Sequence, residues 1–159
     1  MHNAQPLDIA QRLVDAGVPS IIIGGHAVNF HGYPRSTQDV DIIFQRTPDS
    51  MSALLEVLTE LAAYWISDEI DLSTGIEKAM PVTADYIQRE HMMMLGTKLG
   101  YVDLFDFIPG MPTESLTDLF SSAQSSGTLK FANLHWLRRM KASAGRPQDM
   151  IDLANLPDA

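Results

Sequence analysis

The chain has 159 residues, 45% of them hydrophobic and 19% charged, a balance that supports a packed core and argues against disorder. Its formal net charge of -9 repels a polyphosphate backbone and argues against broad, sequence-independent nucleic-acid binding, although 11 Lys and Arg remain for a local basic pocket. The absence of cysteine excludes disulfides, Cys-based zinc sites and thiol nucleophiles, and it fits a reducing cytoplasm.

The N-terminal MHNAQPLDIAQRLVDAG lacks the basic and apolar regions of a signal peptide, and no apolar run is long enough to span a bilayer. Apolar residues at 7, 9, 10, 13 and 14 predict a helix over 7–16, stopped by Gly17. Residues 19–23 read as a short buried strand that runs into Gly24-Gly25. A short helix over 26–31 follows, closed by Gly32, and Pro34 forces a loop after it. The segment DVDIIF over 39–44 reads as a strand. A helix over 48–61 places apolar positions 51, 54, 55, 58 and 61 on one face, with Asp49 or Ser50 as its cap.

From 62 to 89 no period emerges, and a loop with one strand or short helix is expected. Residues 91–95 and 101–107 read as strands joined by a tight turn over 96–100. Then come a helix over 113–123 capped by Thr113, an edge strand over 127–131, and a helix over 133–144 between Asn133 and Gly145. Pro147 opens a last helix that runs from 148 to about 156. With no repeat, low-complexity tract or linker, one α/β or α+β domain over 1–159 is the economical reading.

Asp39 and Asp41 are two apart on a strand, so both carboxylates point to the same side. Like charges side by side resist burial, and a divalent cation is the strongest candidate to relieve them. Mg²⁺ takes oxygen ligands of this kind and bridges carboxylates to phosphates. The apolar flanks Val40, Ile42, Ile43 and Phe44 place the pair beside the core rather than on a solvated edge. A two-metal site needs a further carboxylate, for which Asp103 on a later strand is the best choice. Asp106, three residues on, would face the other way unless a bulge intervenes. Gly24-Gly25, between a strand and a helix, would let a phosphate approach the backbone.

The chain has neither a Gly-x-x-x-x-Gly-Lys-Ser/Thr loop nor Gly-x-Gly-x-x-Gly. His26 and His31 are five apart, a poor zinc spacing on a helix, and His26 reads as a packed or exposed imidazole rather than a pocket residue. Met92-Met93-Met94 reads as strand core.

The segment GGHAVNFHGYPRSTQDVDIIF resembles the signature of nucleotidyltransferases related to DNA polymerase β. It is more similar to that of the small bacterial and archaeal members, which include toxins of toxin–antitoxin pairs. Gly24, Gly25, Asp39 and Asp41 match directly, and Asp103 in Val-Asp-Leu matches the third carboxylate. Arg35 and Thr37 match the Arg-x-Thr that precedes Asp-x-Asp. The run from Lys141 through Gly145-Arg146-Pro147 to Asp149 resembles the C-terminal Lys…Gly-Arg-Pro-x-Asp element. Residues 62–89 carry no resemblance.

The resemblance implies a nucleotidyltransferase fold, a mixed sheet flanked by helices, and transfer of a nucleoside monophosphate from an NTP. It implies two Mg²⁺ ions, with Mn²⁺ as a substitute, held by Asp39, Asp41 and Asp103. Asp103 would bind the metal that activates the acceptor hydroxyl, or act as its base. Gly24, Gly25, Arg35, Thr37 and Lys141 would hold the nucleotide. Taken alone, Arg35, four residues before Asp39, reads as a triphosphate clamp ahead of a loop cation paired with an Asp, and Lys141 reads equally as a plain helix-surface lysine. Arg146, Asp149 and Asp152 read as residues that hold the last helix.

The resemblance leaves the acceptor open among RNA, protein and small molecule. It suggests an antitoxin or a second copy of the chain as partner, and no membrane. Two other readings remain: a nucleotidyltransferase-fold binding module in a protein complex, and a metal-dependent NTP hydrolase.

Overall fold

A computed structural model describes residues 5–158. The first four residues, at the head of the segment read above for a signal peptide, lie outside the described residues. Among the described residues one mixed sheet carries eight strands in the order β4-β3-β5-β6-β2-β1-β8-β7, and seven helices accompany it. This is the mixed α+β architecture, a sheet flanked by helices, that the sequence leads one to expect.

Helix α1 (Leu7–Asp15) buries Ile9, Ala10 and Leu13 and yields to β1 (Ser20–Ile23), which is buried at all four positions. Helix α2 (Gly24–Phe30) starts on the residue after β1, two residues earlier than the apolar pattern suggests. Gly24 permits this because it takes φ +66°, a value that favours glycine. The chain then returns antiparallel to β1 as β2 (Asp39–Phe44), with Ile23 opposite Asp41. Helix α3 (Pro48–Glu60) is capped by Thr47 rather than Asp49 or Ser50. The Thr47 side chain accepts from the Ser50 N–H, while the Ser50 hydroxyl accepts from the Thr47 N–H.

The segment without a readable period departs most from expectation. It forms a hairpin of β3 (Tyr64–Ile70) and β4 (Glu77–Pro81), then α4 (Ala84–Arg89). Its strands escape notice because their pairing shifts register between Ile66 and Ile70, which breaks the alternation of apolar and polar residues. Strands β5 (Met92–Thr97) and β6 (Gly100–Phe105) form the expected hairpin.

Helix α5 (Leu116–Ser121) starts later than expected, with Ser115 as its cap instead of Thr113. The expected single strand near 127–131 is a third hairpin, β7 (Gln124–Ser126) with β8 (Leu129–Phe131), in which β7 is the edge. Helix α6 (Leu134–Ala144) runs between the Asn133 cap and a left-handed Gly145, and Pro147 opens α7 (Pro147–Asn155). Among the described residues no helix is long and apolar enough to cross a membrane.

Each face of the sheet has its own core. Ile22, Val40, Ile42, Phe44, Val102 and Leu104 pack with α1 and α3 on one side. Ile21, Ile23, Ile43 and Phe105 pack with Leu119 of α5 and Trp136 and Met140 of α6 on the other. Strand alternation assigns Asp39, Asp41 and Asp103 to the second side, in line with Ile43 and Phe105.

At the far end of β2, Arg46 is a junction. It donates to Asp106 at 2.5 Å, to the Ile87 carbonyl at 2.8 Å and to the Glu90 carbonyl. It thereby ties the end of β2 to α4 and to the residue just past β6. His91 Nδ1 lies 2.7 Å from the same Asp106 carboxylate. Asp106 is therefore committed to a structural ion pair.

Truncation of Arg46 leaves a largely buried carboxylate and two carbonyls without their donor. Arg46→Ala is expected to lower unfolding free energy by about 2–4 kcal/mol, read from the urea midpoint. Arg46→Lys should recover only part of this, because a point charge cannot serve three acceptors in a plane.

Candidate functional site

The centre of the site follows from register. Strands β2 and β6 run parallel, with Asp41 paired to Asp103 and Asp39 to Tyr101. Side chains at paired positions project to the same face, so the Asp41 and Asp103 carboxyls meet side by side and share a hydrogen bond. Neighbouring strands lie ~4.8 Å apart, and at an effective dielectric near 20 two full charges at that spacing repel by about 3 kcal/mol.

The consequence is visible in their protonation. Burial, the Asp103 charge and a hydrogen bond that protonated Asp41 donates to Asp103 raise Asp41 to about 7. Burial also raises Asp103, opposed by its hydrogen bond with Asp41. Without a cation, the pair holds one proton between its members well above the usual carboxylate range. Asp39, at the exposed start of β2, adds a further repulsive charge to both.

Gly24 sits against this pair. A Cβ there would run into the Asp41 carboxylate, so glycine is required by space as well as by its φ. A Cβ on Gly25 would meet Thr37 Oγ1 at 2.6 Å and an Arg35 guanidinium nitrogen at 3.2 Å. The two glycines thus let the β1–α2 turn press against the Asp-x-Asp strand and the loop before it. No side chain caps the N-terminus of α2.

The basic side chains form one network behind the carboxylates. Arg35 grips Asp152 with two nitrogens, at 2.8 and 2.9 Å. Lys141 lies 3.1 Å from Asp149 and 2.9 Å from Asp152, and its side chain is only 7% exposed. Arg146 donates to Asp149 at 2.7 Å. Hydrogen bonds from Arg146 and Lys141 outweigh burial and hold Asp149 below its ordinary value. Those from Arg35, Lys141 and Gln148 do the same for Asp152. The Lys141 charge reaches Asp41 and favours its ionised form.

A polar cleft of about 410 Å³ collects Gly25, Arg35, Thr37, Asp39, Asp41, Asp103 and Lys141. The structure therefore gathers around one cleft the residues that sequence assigned to metal and nucleotide, Gly24 standing against Asp41. Asp149 and Asp152 are more than props for the last helix. They are almost fully buried and set the positions of Arg35 and Lys141. The readable signal was two aspartates three apart on a helix just after Gly-Arg-Pro, facing inward together.

Two further clefts adjoin the carboxylates. One, of about 290 Å³, is lined by apolar Met92, Phe105, Leu137 and Met140 together with Asp41 and Asp103. The reading of Met92-Met93-Met94 as strand core holds only for Met93. Met92 and Met94 alternate to the other face and are 43% and 64% exposed. His26 lines none of these three clefts. Burial and the Arg35 charge lower its pKa, and its Nε2 is buried without a partner. Among the described residues no three His, Cys, Asp or Glu side chains are drawn together as a ready-made metal cage.

No family model and no curated protein matches the chain. Among solved structures, JHP933 from Helicobacter pylori aligns over 93% of this chain and 62% of its own, at 15% identity and a TM-score of 0.45. A second, described as a "putative nucleotidyltransferase from H. pylori", aligns over 86% and 57%, at 14% identity and a TM-score of 0.39. This chain therefore spans less than two thirds of either protein, and similarity at this level decides nothing about its activity.

The two kinds of aspartate predict opposite pH responses in metal-free buffer. Asp149 and Asp152 have depressed pKa values, so their stabilisation is complete above about 4 and is lost as pH falls further. Asp41 is raised, so the folded state binds the extra proton and stability declines as pH climbs from about 4 to about 7. In EDTA, wild type should melt highest near pH 4–5. Asp41→Asn should remove the decline and melt several degrees above wild type at pH 8, read by thermal unfolding at each pH.

Proposed function

We propose that this chain is a metal-dependent nucleotidyltransferase that moves a nucleoside monophosphate from an NTP to a hydroxyl acceptor. The observation that carries the reading is the pairing of Asp41 with Asp103 across β2 and β6, beside a glycine turn packed against Asp41. The donors are carboxylate oxygens only, and they ionise together poorly on their own. That set suits a hard divalent cation such as Mg²⁺ or Mn²⁺, with substrate oxygens completing the shell. Asp39, Asp41 and Asp103 are the ligands in this reading. Two bound ions would neutralise the charge that develops on the attacking and leaving oxygens.

The remaining work falls to the chain's own residues. Gly24 lets the turn pack against Asp41 and Gly25 lets it pack against Thr37 and Arg35, which brings the turn to the edge of the polar cleft that would receive the triphosphate. Lys141 and Arg35, held by Asp149 and Asp152, supply positive charge in fixed positions, so little reorganisation is needed when the triphosphate arrives. The acceptor oxygen forms a bond to the α-phosphorus while the bond to the bridging oxygen breaks and pyrophosphate leaves. The acceptor proton passes to the Asp103 carboxylate. In-line placement of the two oxygens is the main contribution of such a site.

The reading is tested by incubating the protein with each α-labelled NTP, Mg²⁺ and cell extract. Label should move to an acceptor, and Asp39→Asn, Asp41→Asn and Asp103→Asn should each reduce transfer at least about a hundredfold. Asp106→Asn should retain transfer within about tenfold when assayed below its melting temperature, because Asp106 serves Arg46. Loss of label to free nucleotide without an acceptor would point to the hydrolase instead. Partner capture that survives Asp41→Asn, with no turnover of any NTP, would point to the binding module.

A further inference from the structure

Three clefts meet at Asp103, and each has its own chemistry. The polar one holds the basic residues, and the second is lined by Met92, Leu137 and Met140. The third, of about 240 Å³, lies over the sheet on the β3 side and is lined by Tyr64, Ile66, Met94, Gly96 and Tyr101, with Asp39 and Asp103 at its end. Tyr101 is the register partner of Asp39, so its ring stands directly beside the carboxylates.

The floor of this third cleft is specifically built. Tyr64 pairs with Gly96 across β3 and β5, and any Cβ on Gly96 would collide with the Tyr64 ring. Glycine therefore lets that ring lie down on the sheet. The Tyr64 hydroxyl meets that of Tyr101, which raises the Tyr64 phenol. Despite these contacts, Tyr101, Met94 and Ile66 remain 57%, 64% and 52% exposed. Two aromatic rings, a thioether and an isoleucine thus line an open slot that ends at the proposed catalytic base.

Charge narrows what the slot can take. The β3–β4 hairpin at its edge carries Asp68, Glu69, Asp71 and Glu77, against one Lys78 that lies 3.6 Å from Glu69. Lys98, in the β5–β6 turn, is the other cation near in sequence. Together with Asp39 and Asp103, this rim is a poor seat for a phosphate backbone.

We propose that the slot between Tyr64, Met94 and Tyr101 is the acceptor subsite, and that it takes a planar, phosphate-free small molecule bearing the hydroxyl to be modified. The ring of the acceptor stacks on the tyrosines and the Met94 thioether, while its hydroxyl reaches toward Asp103. The inference rests on the nucleotidyl-transfer reading for what happens to that hydroxyl, but the binding it requires can be measured alone.

Indole-3-ethanol serves as probe, cyclohexylmethanol as a non-planar control and a single-stranded oligoribonucleotide as the nucleic-acid arm. Saturation-transfer NMR titrations should show the indole binding, with affinity reduced about fivefold or more in Tyr101→Ala and Tyr64→Ala. Tyr101→Phe should bind nearly as wild type. Binding should persist with Mg²⁺ and saturating ATP present, as separate clefts require. Thermal shift by Mg²⁺ and ATP should be kept in the tyrosine variants, which shows that they fold.

The proposal is overturned if cyclohexylmethanol binds as well as the indole, if the oligoribonucleotide binds in a Tyr101-dependent manner, or if neither tyrosine variant weakens the indole. Displacement of the indole by ATP would make the slot a nucleobase pocket and would also overturn it. Failure of Mg²⁺ and ATP to bind, with indole binding intact, would defeat the nucleotidyl-transfer reading and leave the slot as a ligand site.

Discussion

The arrangement depends on a repulsion. A parallel ladder between β2 and β6 sets Asp41 against Asp103, and the sheet cannot relax to separate them without losing its register. The aliphatic residues and phenylalanines of those strands are committed to one or other of the two cores, so a one-residue slip would turn both faces inside out. The fold thus imposes on two carboxyls a proximity that costs free energy whenever both are charged. Such stored cost is characteristic of sites that wait for a ligand of opposite sign, and it underlies the proposal that a divalent cation binds here.

The surroundings do not relieve that repulsion with an ion pair of their own. The nearby cations, Lys141, Arg35 and Arg146, are held by Asp149 and Asp152 on α7 instead of folding onto Asp41 and Asp103. The buried aspartates of α7 therefore do two things at once. They dock the last helix, and they hold positive charge at a working distance from the acidic pair. An ion pair this deep adds little net stability over an apolar substitute, so its placement is better explained by position than by strength.

The asymmetry of the sheet completes the picture. One face is packed with α1 and α3, while the other is packed near β1 by α5 and α6 and remains accessible toward β5 and β3. The open part is apolar and aromatic, and the cleft bordered by the start of α7 is charged. Substrate groups of different character would therefore sort themselves to either side of Asp103.

Much of the polar centre was legible in the residues themselves. Alternation along DVDIIF put Asp39 and Asp41 on one side, the Gly24-Gly25 pair marked the abrupt turn, and Gly145-Arg146-Pro147 marked the last helix junction, because each is a local consequence of backbone geometry. Sequence could not choose firmly between Asp103 and Asp106, since that depends on which strand pairs with β2 and in what register. The β3–β4 hairpin stayed hidden because its register shift destroys the period, and its tyrosine slot exists only through the approach of Tyr64 to Gly96 across β5. Likewise the pairing of Arg35 with Asp152 joins residues 117 positions apart, which no local pattern announces. Local geometry determined the elements and the direction of the acidic side chains; only the tertiary packing decided which of them meet, because strand pairing and helix docking are set by contacts between distant parts of the chain.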